Sequence, residues 1–199
     1  SMGSGTVFSL LYGAGNLPAL RRSIYVSFLL IGTVTVLLNV AVFLWIDPIL
    51  RWLQVPHDVY SLMRSYLWII FQGIAFTFLY NFYAALLRAV GDSVTPLWFL
   101  AISVVLNIGL DLFLILVLDL GIEGTAIATV IAQGTAASGI LLHTYKNRPE
   151  LRLHWEDMRF DRSCLKEITS FSTLTCIQQS VMNFGILMVQ GLVNSFGMA

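Results

Sequence analysis

The sequence predicts an all-α, polytopic membrane protein, and three observations lead there. Of its 199 residues 57% are apolar and only 11% charged, and the mean hydropathy is +0.81; a soluble domain carries about 25% charged residues. The apolar residues gather in five stretches, Ser23–Ile46, Ser65–Leu87, Ser93–Leu118, Gly124–Tyr145 and Ile168–Ala199, of 24, 23, 26, 22 and 32 residues. About 20 apolar residues cross a bilayer core as a helix, and Asp111 is the only charged residue within all five. This composition excludes a soluble enzyme. Net charge is zero, with 11 basic and 11 acidic residues, so there is no bulk attraction to nucleic acid. The two cysteines, Cys164 and Cys176, have neither CxxC spacing nor His partners, which argues against metal, redox and disulfide-framework chemistry.

Orientation follows from the basic residues. If the five spans alternate, Arg21, Arg22, Arg88, Lys146, Arg148, Arg152, Arg159, Arg162 and Lys166 fall on one side, and only Arg51 and Arg64 on the other. The positive-inside rule puts the nine-residue side in the cytoplasm.

Each element has its own signature. The first twenty residues lack a basic n-region, so no cleavable signal is read in them. They are uncharged and end in Tyr12-Gly13-Ala14-Gly15, the pattern of the tail of an earlier helix. The first span is nearly all apolar. In the second, Gly73, Thr77 and Asn81 share one face, and Gln72, Phe76 and Tyr80 another. Aromatics beside amides suit a cavity for a bulky, partly apolar cation, and they also suit ordinary helix packing.

The third span follows Gly91-Asp92-Ser93, with Pro96 in its first turn, where proline is tolerated. Ser103, Asn107 and Asp111 then recur at intervals of four, which aligns them on one helix face. Asp111 sits about 22 Å past Pro96, inside a core about 30 Å thick. An ionised Asp at that depth costs roughly 2.5–3.5 kcal/mol, and a short carboxylate cannot snorkel out as Lys or Arg can. The functional reading is a protonatable or cation-binding carboxylate in a polar cavity, with Asn107 as hydrogen-bond partner. The alternative is a carboxylate held in a helix–helix contact or reached from an outer vestibule.

In the fourth span Gly124, Ala128, Ala132 and Ala136 form a small-residue ridge, beside a polar stripe of Thr125, Thr129 and Gln133. Such a ridge lets a neighbouring helix approach closely, and the stripe reads as interhelical hydrogen bonding or as a cavity wall facing Asp111. The segment His143–Glu167 holds half of all charges, six basic and five acidic. It reads as a solvated cytoplasmic linker between bundles. The fifth span carries Gln179, Asn183, Gln190 and Asn194 on one face, the mark of a polar interface or a water-filled space. No HExxH, P-loop, GxGxxG or nucleophile–base pattern is present, and His57, His143 and His154 are scattered, so neither an enzyme nor a metal site is expected.

Taken together, these residues resemble the multidrug and toxic compound extrusion (MATE) family of secondary transporters. The residues Ser1–Gly5 through Leu11–Asn16 and Leu20–Ser23 are similar to the end of the family's second helix and the loop into its third. Leu86-Leu87-Arg88-Ala89-Val90-Gly91-Asp92-Ser93 with Thr95-Pro96 resembles the cytoplasmic turn between its fourth and fifth helices, and Asn107-Ile108-Gly109-Leu110-Asp111 its fifth-helix motif. Gly121-Ile122-Glu123-Gly124 through Thr129 resembles the start of its sixth helix. Ile177-Gln178-Gln179-Ser180 with Val193–Gly197 resembles its seventh.

The resemblance implies five transmembrane helices of a twelve-helix, two-lobe transporter. Residues 1–145 would belong to the N-terminal lobe, 146–167 to the inter-lobe linker and 168–199 to the first helix of the second lobe. It implies an efflux antiporter of the plasma (inner) membrane of a prokaryote, exporting amphipathic organic cations or drugs in exchange for H+ or Na+. No cofactor is implied, and the remaining helices of the same transporter and the lipid bilayer would be its partners. Asp111 and Asn107 match the family's ion-coupling positions on helix five, and Thr129 its helix-six position. Asn81, Thr77 and Tyr80, with Gln179 and Asn183, are the candidate cavity residues. Helix one, with the partner aspartate of that group, and helices eight to twelve have no counterpart here. The fifth span has no carboxylate of the kind sodium-coupled relatives carry. Ser172 and Leu174 stand where the family often has Gly and Pro, so no proline-dependent bend is expected there. Two alternatives of other classes stand beside this reading. A lipid-linked oligosaccharide or polysaccharide flippase of related fold is disfavoured because no Lys or Arg lies inside a span to hold pyrophosphate. A membrane scaffold leaves the Ser103–Asn107–Asp111 face without a use.

Overall fold

The computed structural model describes residues 2–52, 57–152 and 162–196. The middle of the expected linker, with Arg159, and the last three residues of the fifth span lie outside the described residues. The elements are α1 (Met2–Gly13), α2 (Leu17–Trp52), α3 (His57–Ala89), α4 (Val94–Leu116), α5 (Gly121–Asn147), a 3-10 turn (Pro149–Leu151) and α6 (Arg162–Phe196).

Each expected span coincides with a helix. The helices α2, α3 and α5 run past both ends of the charge-free stretches, and α6 starts six residues before its stretch. The α4 helix is shorter than the expected Ser93–Leu118, leaving out Ser93 and the last two residues. The α2 helix starts at Leu17, where the Asn16 side chain accepts the Ala19 N–H at 3.2 Å, a capping contact. It continues through Pro48 to Trp52, with one intrahelical hydrogen bond fewer, because proline brings no N–H. The α3 helix begins eight residues before the expected Ser65, at His57. Charge marks where lipid stops, and the helix runs on into water.

Among the described residues, Leu17–Pro48, Tyr60–Ala89, Val94–Leu116 and Gly121–Asn147 are long and apolar enough to cross a membrane. The α6 helix forms over the fifth expected span but is richer in hydroxyls and amides. Its threonines use the helix itself to satisfy their hydroxyls: Thr169 donates to the Leu165 carbonyl at 2.7 Å, Thr173 to Thr169 at 2.8 Å and Thr175 to Phe171 at 2.8 Å. Such back-bonding keeps a hydroxyl paired where water is scarce.

Two turns at the basic end need glycine. Gly15 and Gly91 have φ of +68° and +88°, the left-handed region open to glycine at low cost. In each, the next residue's N–H reaches back five residues, Asn16 to Leu11 at 3.1 Å and Asp92 to Leu87 at 2.9 Å, closing the helix with a Schellman motif.

Buried side chains concentrate at that same end. Phe8 of α1, Leu20 and Ile24 of α2, Phe82, Leu86 and Leu87 of α3, Ile140 of α5 and Leu151 of the turn form one core cluster. The Phe82 ring meets Phe8 and Phe28 edge-on at 6.1 and 5.3 Å. Val7, Val26 and Ile168 form a second cluster joining α1, α2 and α6. Farther along α2, Val36, Leu37, Leu38 and Leu44 are exposed, as lipid-facing residues are.

The α5 ridge does what its small residues predict. Gly124, Ala128, Ala132 and Ala136 are buried. A Cβ on Gly124 would lie 3.2 Å from the Leu114 Cβ of α4. The buried Ser103 hydroxyl donates to the Ala132 carbonyl at 2.9 Å. The helix carrying Asp111 is thereby seated on α5, and α3 packs on the other flank of α5.

Candidate functional site

The α4–α5 seam brings two of the three expected coupling residues into contact. Asn107 Nδ2 lies 3.4 Å from the Thr129 hydroxyl, which itself donates to the Thr125 carbonyl at 2.9 Å. Thr129 thus accepts from Asn107 while donating within its own helix. Asp111 stands one turn beyond Asn107 on the same face. It is half-buried, and its Oδ1 is enclosed with no hydrogen-bond partner among the described residues. A buried carboxylate oxygen without a donor is costly.

The α3 candidates form a second group. The Thr77 hydroxyl donates to Gln133 Oε1 of α5 at 2.6 Å, and Asn81 Nδ2 donates to the Thr77 carbonyl at 2.8 Å. Gly73 makes the approach possible, since a Cβ there would lie 3.0 Å from Val130 Cγ2 and 3.4 Å from Gln133 Oε1. Tyr80 is engaged elsewhere: its hydroxyl donates to the Pro96 carbonyl at 2.8 Å and ties α3 to the first turn of α4. Gln133 sits one helical turn from Thr129, so α5 carries both contacts on one polar stripe. The α6 pair stands apart. Gln179 Nε2 lies 3.5 Å from Asn183 Oδ1 on the same exposed face, and α6 packs against α1 and α2.

Three features lie outside the expected site. Asn39, the only amide in the first span, donates to the Phe71 carbonyl at 2.6 Å and joins α2 to α3. Its isolation in an apolar run is the signal that could have marked it. At the far end, Asp47 accepts from Tyr60 and Arg64, each at 3.0 Å. At the basic end, Arg148 lies 3.6 Å from Asp92 Oδ2 and 3.5 Å from Glu150, and Arg21 Nε donates to the Glu150 carbonyl at 2.9 Å. Asp92 also accepts the Thr95 N–H and hydroxyl at 3.0 and 2.9 Å, capping α4 from one residue before its N-cap. Desolvation raises the Asp92 pKa, but the Thr95 hydrogen bonds and the Arg148 charge outweigh it and hold the carboxyl below its ordinary value.

The comparisons with known proteins agree on one family, whose model, MatE, matches residues 1–113. The chain belongs to the MatE family. This MatE chain is 32% identical over 192 residues to "Probable multidrug resistance protein YpnP" of Bacillus subtilis, across 96% of its own length and 43% of the relative's. It is 24% identical over 212 residues to the multidrug export protein MepA of Staphylococcus aureus, across 96% and 46%. It therefore spans less than half the length of these relatives. Among solved structures, the MATE transporter VcmN of Vibrio cholerae in its bent form matches with a TM-score of 0.83 at 24% identity, over 98% of this chain and 44% of that one. A MATE structure in the bent conformation matches with a TM-score of 0.85 at 20% identity, over 94% and 42%. At these identities the structures establish the fold: the MatE chain is a multi-pass helical membrane protein whose helices match part of these MATE structures.

Proposed function

We propose that the complete protein is a secondary antiporter of the bacterial plasma membrane. It exports amphipathic organic cations or drugs in exchange for H+ or Na+, and this chain carries its ion-coupling carboxylate. The observation that carries the proposal is Asp111: an acidic side chain in a 23-residue apolar helix, with one oxygen enclosed and unpartnered among the described residues. Embedded carboxylates of this kind mark ion or substrate pathways. The relatives' names, multidrug resistance and multidrug export, support the class of cargo.

In this reading Asp111 alternates between a state neutralised by a proton or Na+ and an ionised state that attracts a cationic substrate. Asn107, steadied by Thr129, offers an amide beside the carboxylate. Thr77 and Asn81, linked to the seam through Gln133, line the substrate side with Tyr80, and the Gln179–Asn183 face of α6 lines the second lobe. Residues 1–145 form part of the first lobe, and residues 168–199 open the second.

The test uses the complete protein in proteoliposomes, following a fluorescent organic cation against an imposed proton gradient and then a sodium gradient. Movement driven by one of them is expected. Asp111→Asn should lower it by at least about tenfold, equivalent to about 1.4 kcal/mol, with the variant folded and inserted. Undiminished transport in that variant would remove Asp111 from the coupling role.

A further inference from the structure

At the basic end, α2, α3 and α5 surround a cavity of about 210 Å³ bordered by the turn Pro149–Leu151. Its walls are mostly apolar: Ile24 of α2, Leu86 of α3, Leu141 of α5 and Leu151 of the turn, with the Tyr83 phenol of α3 among them. Thr144 also lines it, but its hydroxyl already donates to the Ile140 carbonyl at 2.7 Å and adds no unsatisfied donor. The rim carries one cation. Arg152 Nε donates to the Tyr145 carbonyl at 2.8 Å, and its guanidinium lies over the Tyr145 ring, 4.5 Å from the centroid. Those two contacts fix the plane of the guanidinium. Its terminal nitrogens meet no carboxylate among the described residues; Asp92 and Glu150 pair with Arg148.

A mostly apolar cavity with an oriented guanidinium at its lip, unpaired with any carboxylate among the described residues, suits a ligand that is both anionic and fatty. The planar fork of Arg matches the oxygens of a phosphate. Tyr and Arg at the end of a span stand at headgroup level. A water-soluble anion gains nothing from the walls, and an organic cation is repelled by Arg152. The geometry points to a binding site for an anionic phospholipid, its phosphate on Arg152 and a length of acyl chain in the cavity. The orientation read from the basic residues sets this site in the cytoplasmic leaflet, where anionic lipids attract basic side chains. The site lies on α2, α3, α5 and the turn, away from Asp111, and it stands or falls independently of the transport reading.

Native mass spectrometry on the full chain in detergent tests it, with phosphatidylglycerol and phosphatidylcholine of identical acyl chains as probes. One phosphatidylglycerol should bind tighter than phosphatidylcholine. Arg152→Gln should weaken phosphatidylglycerol about fivefold and leave phosphatidylcholine unchanged. Leu141→Trp, which fills the cavity, should weaken phosphatidylglycerol as well. Arg152→Lys keeps the charge without the planar fork and controls for folding; its loss should be smaller than that of Arg152→Gln. Equal binding of the two lipids, or full phosphatidylglycerol binding by Arg152→Gln, overturns the proposal. So does displacement of the lipid by glycerol phosphate at equal concentration, which would make the site one for a free phosphate.

Discussion

Thr129 does two things with one hydroxyl, donating to Thr125 at 2.9 Å and accepting from Asn107 at 3.4 Å. Thr129→Val keeps the side chain's shape and removes both. Leaving a buried polar group without its partner costs about 1–3 kcal/mol, and a long contact between half-buried groups belongs at the lower end of that range. The expected stability loss is therefore small, and the informative readout is the pH profile of transport. An Asn107 amide no longer steadied by Thr129 changes the surroundings of Asp111, so the midpoint of that profile should move in Thr129→Val and stay in place in Thr129→Ser. An unmoved midpoint in the valine variant would reduce Thr129 to a packing residue. The sequence made these three residues readable because polar side chains at intervals of four stand out in a charge-free run. It did not show that Tyr80 binds the Pro96 carbonyl or that Thr77 meets Gln133. Those pairings depend on how the α3 and α4 faces are rotated towards each other, and apolar spans of near-uniform hydropathy carry little record of that rotation.

At the scale of the helix, two glycines of α1 make a paired test. A Cβ on Gly3 would fall 2.5 Å from the Ser172 Cα and 2.6 Å from its nitrogen, so it would press on the backbone of α6, whereas a Cβ on Gly13 meets nothing within 4 Å. Backbone cannot step aside as a flexible side chain can. Gly3→Ala should force α1 and α6 apart at a cost of about 1–3 kcal/mol, while Gly13→Ala should be neutral. Thermal unfolding of the two purified variants separates them, and equal midpoints would mean that α1 and α6 do not cross this closely. The turn before α4 is a second test. The Asp92 carboxyl is held below its ordinary value, so the folded state favours its ionised form more than the unfolded chain does. That contribution is complete above the ordinary carboxylate range and is lost as the pH falls through the lowered folded value. The unfolding temperature should hold from neutrality to about pH 5 and decline below about pH 4, and the decline should be shallower in Asp92→Asn. Parallel curves for the two proteins would mean that the Thr95 and Arg148 contacts contribute nothing. Gly91-Asp92-Ser93 was readable as a turn followed by a helix start. The partnership of Asp92 with Arg148, 56 residues along the chain, arises from tertiary packing and has no local signature.

For the whole molecule, the asymmetry between its two ends has a physical consequence. At the basic end the first linker residues are bound into the bundle: Leu151 is buried in the core cluster, Arg148 bridges Asp92 and Glu150, and Arg21 holds the Glu150 carbonyl. At the other end Asp47 with Tyr60 and Arg64 links α2 to α3. The nine-to-two division of basic residues assigns these ends to opposite sides of the membrane by the positive-inside rule, and under the proposed antiport the direction of transport follows from which side each end faces. Orientation can be read directly. With Cys164 and Cys176 replaced by Ser, a single cysteine is introduced at Lys166, on the basic side, or at Leu118, between α4 and α5; both positions are exposed. A membrane-impermeant maleimide should label Lys166→Cys only in inverted vesicles and Leu118→Cys only in right-side-out vesicles. The reverse pattern would turn the protein over, set Arg152 and its cavity in the outer leaflet, and, under the proposed coupling, have Asp111 loaded from the opposite side. Labelling of both positions from one side would mean that α5 does not cross the membrane, and the five-span topology would fall.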